Sequence, residues 1–197
     1  GDWKIDPTPG IGRPIDVERL AQLGEEGVRA LICDSTNAVR DGVSPSEMDV
    51  AADLTRVIQG AKRRVAVTTF ASNVARIRSI ALAAKAADRD VVVMGRSMHR
   101  AIEVATELGY MDDLPAFLSE DAYGYLPPEK VVLLLTGSQG EERAALARIA
   151  AGDHRNVALS KGDMVVFSSR TIPGNEKAVN AIVNKLAEAR VEIVTDR

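Results

Sequence analysis

Cysteine occurs once in this 197-residue chain, at Cys33, which excludes an internal disulfide and a cysteine-built zinc cluster and fits a reducing compartment. Histidine occurs twice, at His99 and His154, with no second histidine close by at a metal-binding spacing. A catalytic zinc ordinarily takes three protein ligands, so these two cannot complete a metal centre. No apolar run approaches about 18 residues and no leader pattern opens the chain, so neither membrane spanning nor export is expected. The net charge of -3 gives no global signature of a nucleic-acid binder. Both standard nucleotide loops are missing: no G-x-G-x-x-G follows a strand, and no G-x-x-x-x-G-K-[ST] occurs. Gly10 and Gly12 form a GxG, but Pro14 follows at once and the pair reads as a turn.

Hydrophobic residues make up 46% of the chain, enough for a real core. The stretch 131–141, VVLLLTGSQGE, sets the pattern. Five apolar residues suit a strand buried on both faces, and the small polar turn that follows opens a helix. The same order of run, turn and helix start recurs at 31–37 (LICDSTN), 65–73 (VAVTTFASN), 91–98 (VVVMGRSM) and 164–176 (MVVFSSRTIPGNE). Alternation of this kind means parallel strands with right-handed crossovers, hence a Rossmann-like three-layer α/β domain with a mostly parallel sheet. Ligands of such sheets sit beyond the carboxyl ends of the strands, so the polar turns converge on one rim.

The spacing predicts strands over 3–5, 28–33, 65–69, 90–94, 131–135, 163–167 and 191–194. Helices are expected over 16–24, 72–87, 97–108, 141–150 and 175–189. One more begins near Ser46, where Ser46 and Asp49 fit a capping box, and ends at Gly60. Charge is uneven: 61–100 holds nine Lys/Arg against two Asp, a surplus that could steer a polyanion to one face.

Six blocks, GDWKIDPTP, CDSTN, TFASN, GRSM, GSQGE and IPGNE, stand in this order from Gly1 onward. In their order and spacing they resemble ribonuclease J, in the β-CASP branch of the metallo-β-lactamase superfamily. Glu142 departs from the Pro that the family usually carries after GSQGE. The resemblance implies a zinc-dependent ribonuclease on single-stranded RNA, a 5′ to 3′ exonuclease and endonuclease of RNA processing and decay. It also implies a homo-oligomer in the cytoplasm, without a membrane. Two zinc ions would serve the intact enzyme, while this chain lacks the histidines for them and is expected to be inactive alone. Residues 1–44 are expected to be strands of a partial metallo-β-lactamase domain and 45–197 the β-CASP domain, with the missing metallo-β-lactamase domain as partner. A first residue that is Gly, not Met, fits a piece cut from something longer.

Asp34, at a strand end in CDSTN, matches the bridging metal ligand of the family, and Glu47 matches its acidic motif; a turn role for the first and a helix-dipole role for the second are the competing readings. For RNA phosphate the candidates are Ser72, Asn73, Arg96, Ser97, Ser138, Gly140, Ser168 and Ser169, each of which could equally be a helix cap. Arg63, Arg64, Arg76 and Arg100 are candidates to follow the RNA backbone, against a default of solvated charge. His99 reads as a surface helix residue or a phosphate contact, and His154 as loop. Asn175 reads as a helix cap. The alternative function is a stand-alone module binding a nucleotide or other small phosphate compound.

Overall fold

A computed structural model describes residues 3–36, 38–39 and 41–195, so Asn37 of CDSTN lies outside the described residues. The chain divides into two compact units, Gly1–Val50 and Ala51–Arg197.

The larger unit is built on the apolar runs. Strands β1 (Val65–Thr68), β2 (Asp90–Met94), β3 (Val131–Leu135), β4 (Met164–Phe167) and β5 (Glu192–Val194) form one sheet in the order β2-β3-β1-β4-β5. Every pairing is parallel. Successive side chains alternate between the two faces. Val92, Leu133, Ala66 and Val165 make one row across four strands and share a core with Leu146 and Ile149 of α5 (Ala145–Ala150) and with Val179, Ile182 and Leu186 of α6 (Glu176–Glu188). The alternate row, Val93, Leu134, Val67 and Val166, turns to the other face. There α3 (Val74–Ala86) buries Ile77 and Ile80, and α4 (Arg96–Glu107) buries Met98 and Ile102. All five residues of β3 are buried, as a strand covered on both faces requires. The open edge of β2 is occupied by Leu118, whose N–H donates to the Val91 carbonyl at 2.8 Å while its carbonyl accepts from Val93 N–H at 2.9 Å. Pairing the edge in this way removes a site for unwanted strand addition.

At the amino-terminal end of the strands Asp163, fully buried, accepts from Arg63 Nε at 3.2 Å and from Ser160 N–H at 2.9 Å, with Arg64 Nη1 at 3.8 Å. Arg64 also lies 4.8 Å over the ring of Tyr123. Nearby, Arg89 donates to the carbonyls of Arg63 and Ala61. Arg63 and Arg64 therefore brace the end of the sheet opposite the turns after the strands, paired with a carboxylate rather than left as solvated charge. Burial with charged partners explains it: a buried carboxylate needs cations and N–H groups around it.

The smaller unit carries α1 (Val17–Glu26), capped by Asp16, whose Oδ1 accepts from Arg19 N–H at 2.8 Å. The capping box forms as well: Ser46 Oγ accepts from Asp49 N–H at 3.1 Å and Asp49 Oδ2 from Ser46 N–H at 3.0 Å, opening α2 (Glu47–Gly60). The strands expected over 3–5 and 28–33 are not strands. A strand exists only within a ladder, and neither segment finds a partner among the described residues. No helix among the described residues is long and apolar enough to cross a membrane.

Candidate functional site

The turns after β1 to β4 all leave the same edge of the parallel sheet, and three of them are bolted together. Arg76 Nη1, from the first turn of α3, donates to Ser168 O at 2.6 Å and Ser168 Oγ at 2.8 Å. This joins the turn after β1 to the turn after β4. Gln139, only 6% exposed, joins the turn after β3 to the same segment. Its Nε2 donates to Arg170 O at 2.9 Å, and its Oε1 accepts from Ile172 N–H at 2.8 Å and from Asn175 Nδ2 at 3.3 Å. Asn175 thus sits at the start of α6 but spends its amide on Gln139, with no cap bond from its side chain to the helix. Sequence reasoning passed over Gln139; its one signal was an amide with four hydrogen-bond places inside a turn of small residues.

The candidate phosphate residues divide accordingly. Ser138 is 2% exposed and Ser168 8% exposed, both inside this bolted region. Gly140 has φ +81°, and a Cβ there would meet the Ala178 carbonyl carbon at 2.7 Å and Val179 N at 2.8 Å, so its smallness serves the close approach of α6. Ser169 Oγ and the neighbouring strand-end Thr68 Oγ1 are buried without a hydrogen-bond partner among the described residues. Ser72 is exposed, and Asn73 caps α3, its Oδ1 accepting from Arg76 N–H at 2.9 Å.

Arg96 and Ser97 lie elsewhere, in a cleft of about 660 Å3 above the carboxyl ends of β2 and β3. The same cleft is lined by His99, Arg143, Arg148, His154 and a single carboxylate, Glu120. Arg143 comes from the turn before α5, Arg148 from α5 itself and Glu120 from the short 3-10 helix Glu120–Tyr125. The His154 side chain is 6% exposed, its Nε2 4.0 Å from Glu120 Oε2. Burial pushes its pKa below the ordinary 6.5; Glu120 opposes that shift and Arg148 adds to it. Asn156 Nδ2 holds the other Glu120 oxygen at 3.0 Å. His154 is thus a cleft residue rather than loop alone. Arg100, by contrast, forms an exposed pair with Glu103 on its own helix.

Asp34 and Glu47 belong to the smaller unit. Asp34 Oδ1 accepts from Thr36 Oγ1 at 2.5 Å and Thr36 N–H at 2.7 Å, and the hydroxyl first, then the amide, holds its pKa below the ordinary carboxylate value. Glu47 N–H donates to Asp6 Oδ2 at 2.9 Å, and its carboxylate lies 3.9 Å from Lys4 Nζ. Burial pushes the Asp6 pKa up, but Lys4 and the N–H groups of Glu47 and Thr8 outweigh it and hold the group low. Among the described residues no group of three or more His, Cys, Asp and Glu could hold a metal ion. The donors among the described residues do not by themselves fit a two-zinc centre.

The sheet and its flanking helices define a Rossmann-like α/β domain, and in open α/β sheets ligands ordinarily bind beyond the carboxyl ends of the strands. The chain belongs to the β-CASP domain family of ribonuclease J: the family model described as "Ribonuclease J, beta-CASP domain" matches residues 62–186. It is 58% identical over 196 residues to Ribonuclease J of Sinorhizobium meliloti, covering 100% of this chain and 35% of that protein. Ribonuclease J of Mycolicibacterium smegmatis is 46% identical over 100% of this chain and 35% of its own length. Ribonuclease J of Thermus thermophilus is 46% identical over 94% of this chain and 32% of its own. The chain therefore spans about a third of the length of these curated relatives.

Proposed function

We propose that this chain is the RNA-clamping β-CASP part of a zinc-dependent ribonuclease, acting in the cytoplasm on single-stranded RNA as 5′ to 3′ exonuclease and endonuclease. The observation that carries the reading is the rim: a domain of this family gathers its polar turns at one end of a parallel sheet and sets a surplus of arginine beside them. Backbone phosphates are held by such groups, and the affinity they give is salt-dependent. In the longer protein, residues 1–44 would belong to the metallo-β-lactamase domain and 45–197 to the β-CASP domain, with homo-oligomers as the working form. Asp34 would be the carboxylate this chain gives to a two-zinc centre, and Glu47 would help to organise it. The remaining donors would come from the partner domain.

The test is RNA binding and RNA cleavage measured on the same preparation with added zinc. The expected result is binding of a single-stranded oligonucleotide without cleavage, and a weaker, less salt-sensitive complex for Arg96→Ala, its slope of log affinity against log salt smaller by about 0.7. Metal-dependent turnover abolished by Asp34→Ala would contradict the division of labour, since the chain would then hold a working centre. Binding that is identical for Arg96→Ala at low and high salt would remove Arg96 from the interface.

A further inference from the structure

Several guanidinium groups among the described residues are engaged. Arg63 and Arg64 face Asp163, Arg78 faces Asp113, Arg89 donates to backbone carbonyls and Arg76 to Ser168. The cleft above β2 and β3 is different. Among the described residues the Arg96 and Arg143 guanidiniums have no hydrogen-bond or ion-pair partner, and the one charge interaction of Arg148 is repulsion from His154. Cations of one sign that converge on a concave surface repel one another and raise the local concentration of anions. The only carboxylate among them, Glu120, is turned to Asn156 and His154.

The ligand can be read from the lining. The three guanidiniums come from two helices and a turn around a space of about 660 Å3, far more than one phosphate group fills. Ser97 and Thr136 add hydroxyls; no Phe, Tyr or Trp lines the space, and His99 is the exposed ring at its wall. Hydroxyls and arginines bind phosphate oxygens, while a site that reads bases ordinarily stacks them on aromatic rings.

We propose that this cleft is a phosphodiester subsite, holding successive backbone phosphates of an RNA strand without regard to base, and that Glu120 is a resident counter-charge which lowers its affinity. The inference rests on the reading of the rim as an RNA surface and adds residues to it: Arg143 and Arg148 as phosphate ligands and Glu120 as the group that tunes them. The arginines are unpaired and line open space, so their removal leaves the core untouched. Glu120→Gln keeps the acceptor for Asn156 while removing one negative charge.

The experiment measures equilibrium binding of single-stranded oligonucleotides to the wild-type chain, to Arg143→Ala/Arg148→Ala and to Glu120→Gln, across a salt series, with a mononucleotide as second probe. The double variant is expected to bind at least about tenfold more weakly at low salt, with a slope reduced by roughly 1.4, about 0.7 for each phosphate no longer neutralised. Glu120→Gln is expected to bind about threefold more tightly at low salt, an advantage that fades as salt rises. Tighter binding cannot come from misfolding. The wild-type affinity should change little between oligonucleotides of different base composition. If the wild type binds oligonucleotides and both variants match it, the subsite is overturned while the RNA reading survives. If the wild type binds no oligonucleotide, the RNA reading fails and the subsite with it. A mononucleotide bound as tightly as the oligonucleotide would overturn the phosphodiester ligand in favour of a small phosphate compound.

Discussion

His154 and Gly140 show how much a single position depends on what surrounds it. The His154 imidazole is covered by its neighbours, with Glu120 on one side and Arg148 on the other. Its pKa lies below 6.5 in the folded chain and near 6.5 in the unfolded one, so the unfolded state takes up the proton first as pH falls. Stability from this group is intact above about pH 6.5 and is lost as pH drops toward the folded value. His154→Gln should therefore lose less Tm than the wild type between about pH 7 and pH 5. An equal loss in both would show that other groups set the acid response. At Gly140 the backbone is left-handed and the helix α6 is too near for a Cβ. Gly140→Ala is expected to cost at least about 2 kcal/mol, read as a lower denaturation midpoint, because strain and overlap add. The sequence marked Gly140, Ser138 and Ser168 as small and polar, which is true, but smallness also serves packing. Nothing in one dimension separates a glycine that admits a ligand from one that admits a helix.

Elements were legible where local pattern and tertiary demand agree. The ranges of β2 and β3 match the expected 90–94 and 131–135: β3 is apolar throughout because both its faces are buried, and β2 is so after its exposed first residue, Asp90. Agreement fails at the start of α5. Residues 141–144 have helical propensity, yet Glu141 turns its carboxylate back to accept from Gln139 N–H at 3.0 Å, and Ala144 is extended, so the helix begins at Ala145. It failed too for the strands expected over 3–5 and 28–33, whose apolar pattern finds no ladder among the described residues. The cleft was half legible: Arg96 and Ser97 stand in one turn, while Arg143, Arg148, Glu120 and His154 reach it from three other places in the chain. Among these elements the Gln139 amide links the turn after β3 to 170–175. Gln139→Leu, which keeps the bulk and leaves the Ile172 N–H and Arg170 carbonyl without their partner, is expected to cost about 1–3 kcal/mol. It should also speed hydrogen exchange at Ile172, whose amide loses its acceptor. Unchanged exchange there would mean that the segment is held by other interactions.

At the scale of the whole chain, charge is sorted by the fold rather than by position in the sequence. The basic stretch 61–100 looked like one patch, but parallel strands send its parts to opposite ends of the sheet. Arg63, Arg64 and Arg89 precede β1 and β2 and close the amino-terminal end; Arg96 follows β2 and joins the cleft at the other. Arg143 and Arg148, from outside that stretch, complete the cleft. The central claim is that this end of the domain clamps a strand of RNA. The most direct measurement is the affinity of the wild-type chain for a single-stranded oligonucleotide, bearing a 5′-phosphate or a 5′-hydroxyl, and for a mononucleotide, each at two salt concentrations. Both oligonucleotides are expected to bind more tightly than the mononucleotide and to weaken steeply with salt; a 5′-phosphate preference would place end recognition on this rim. Equal affinity for oligonucleotide and mononucleotide, or no salt dependence, would contradict the claim.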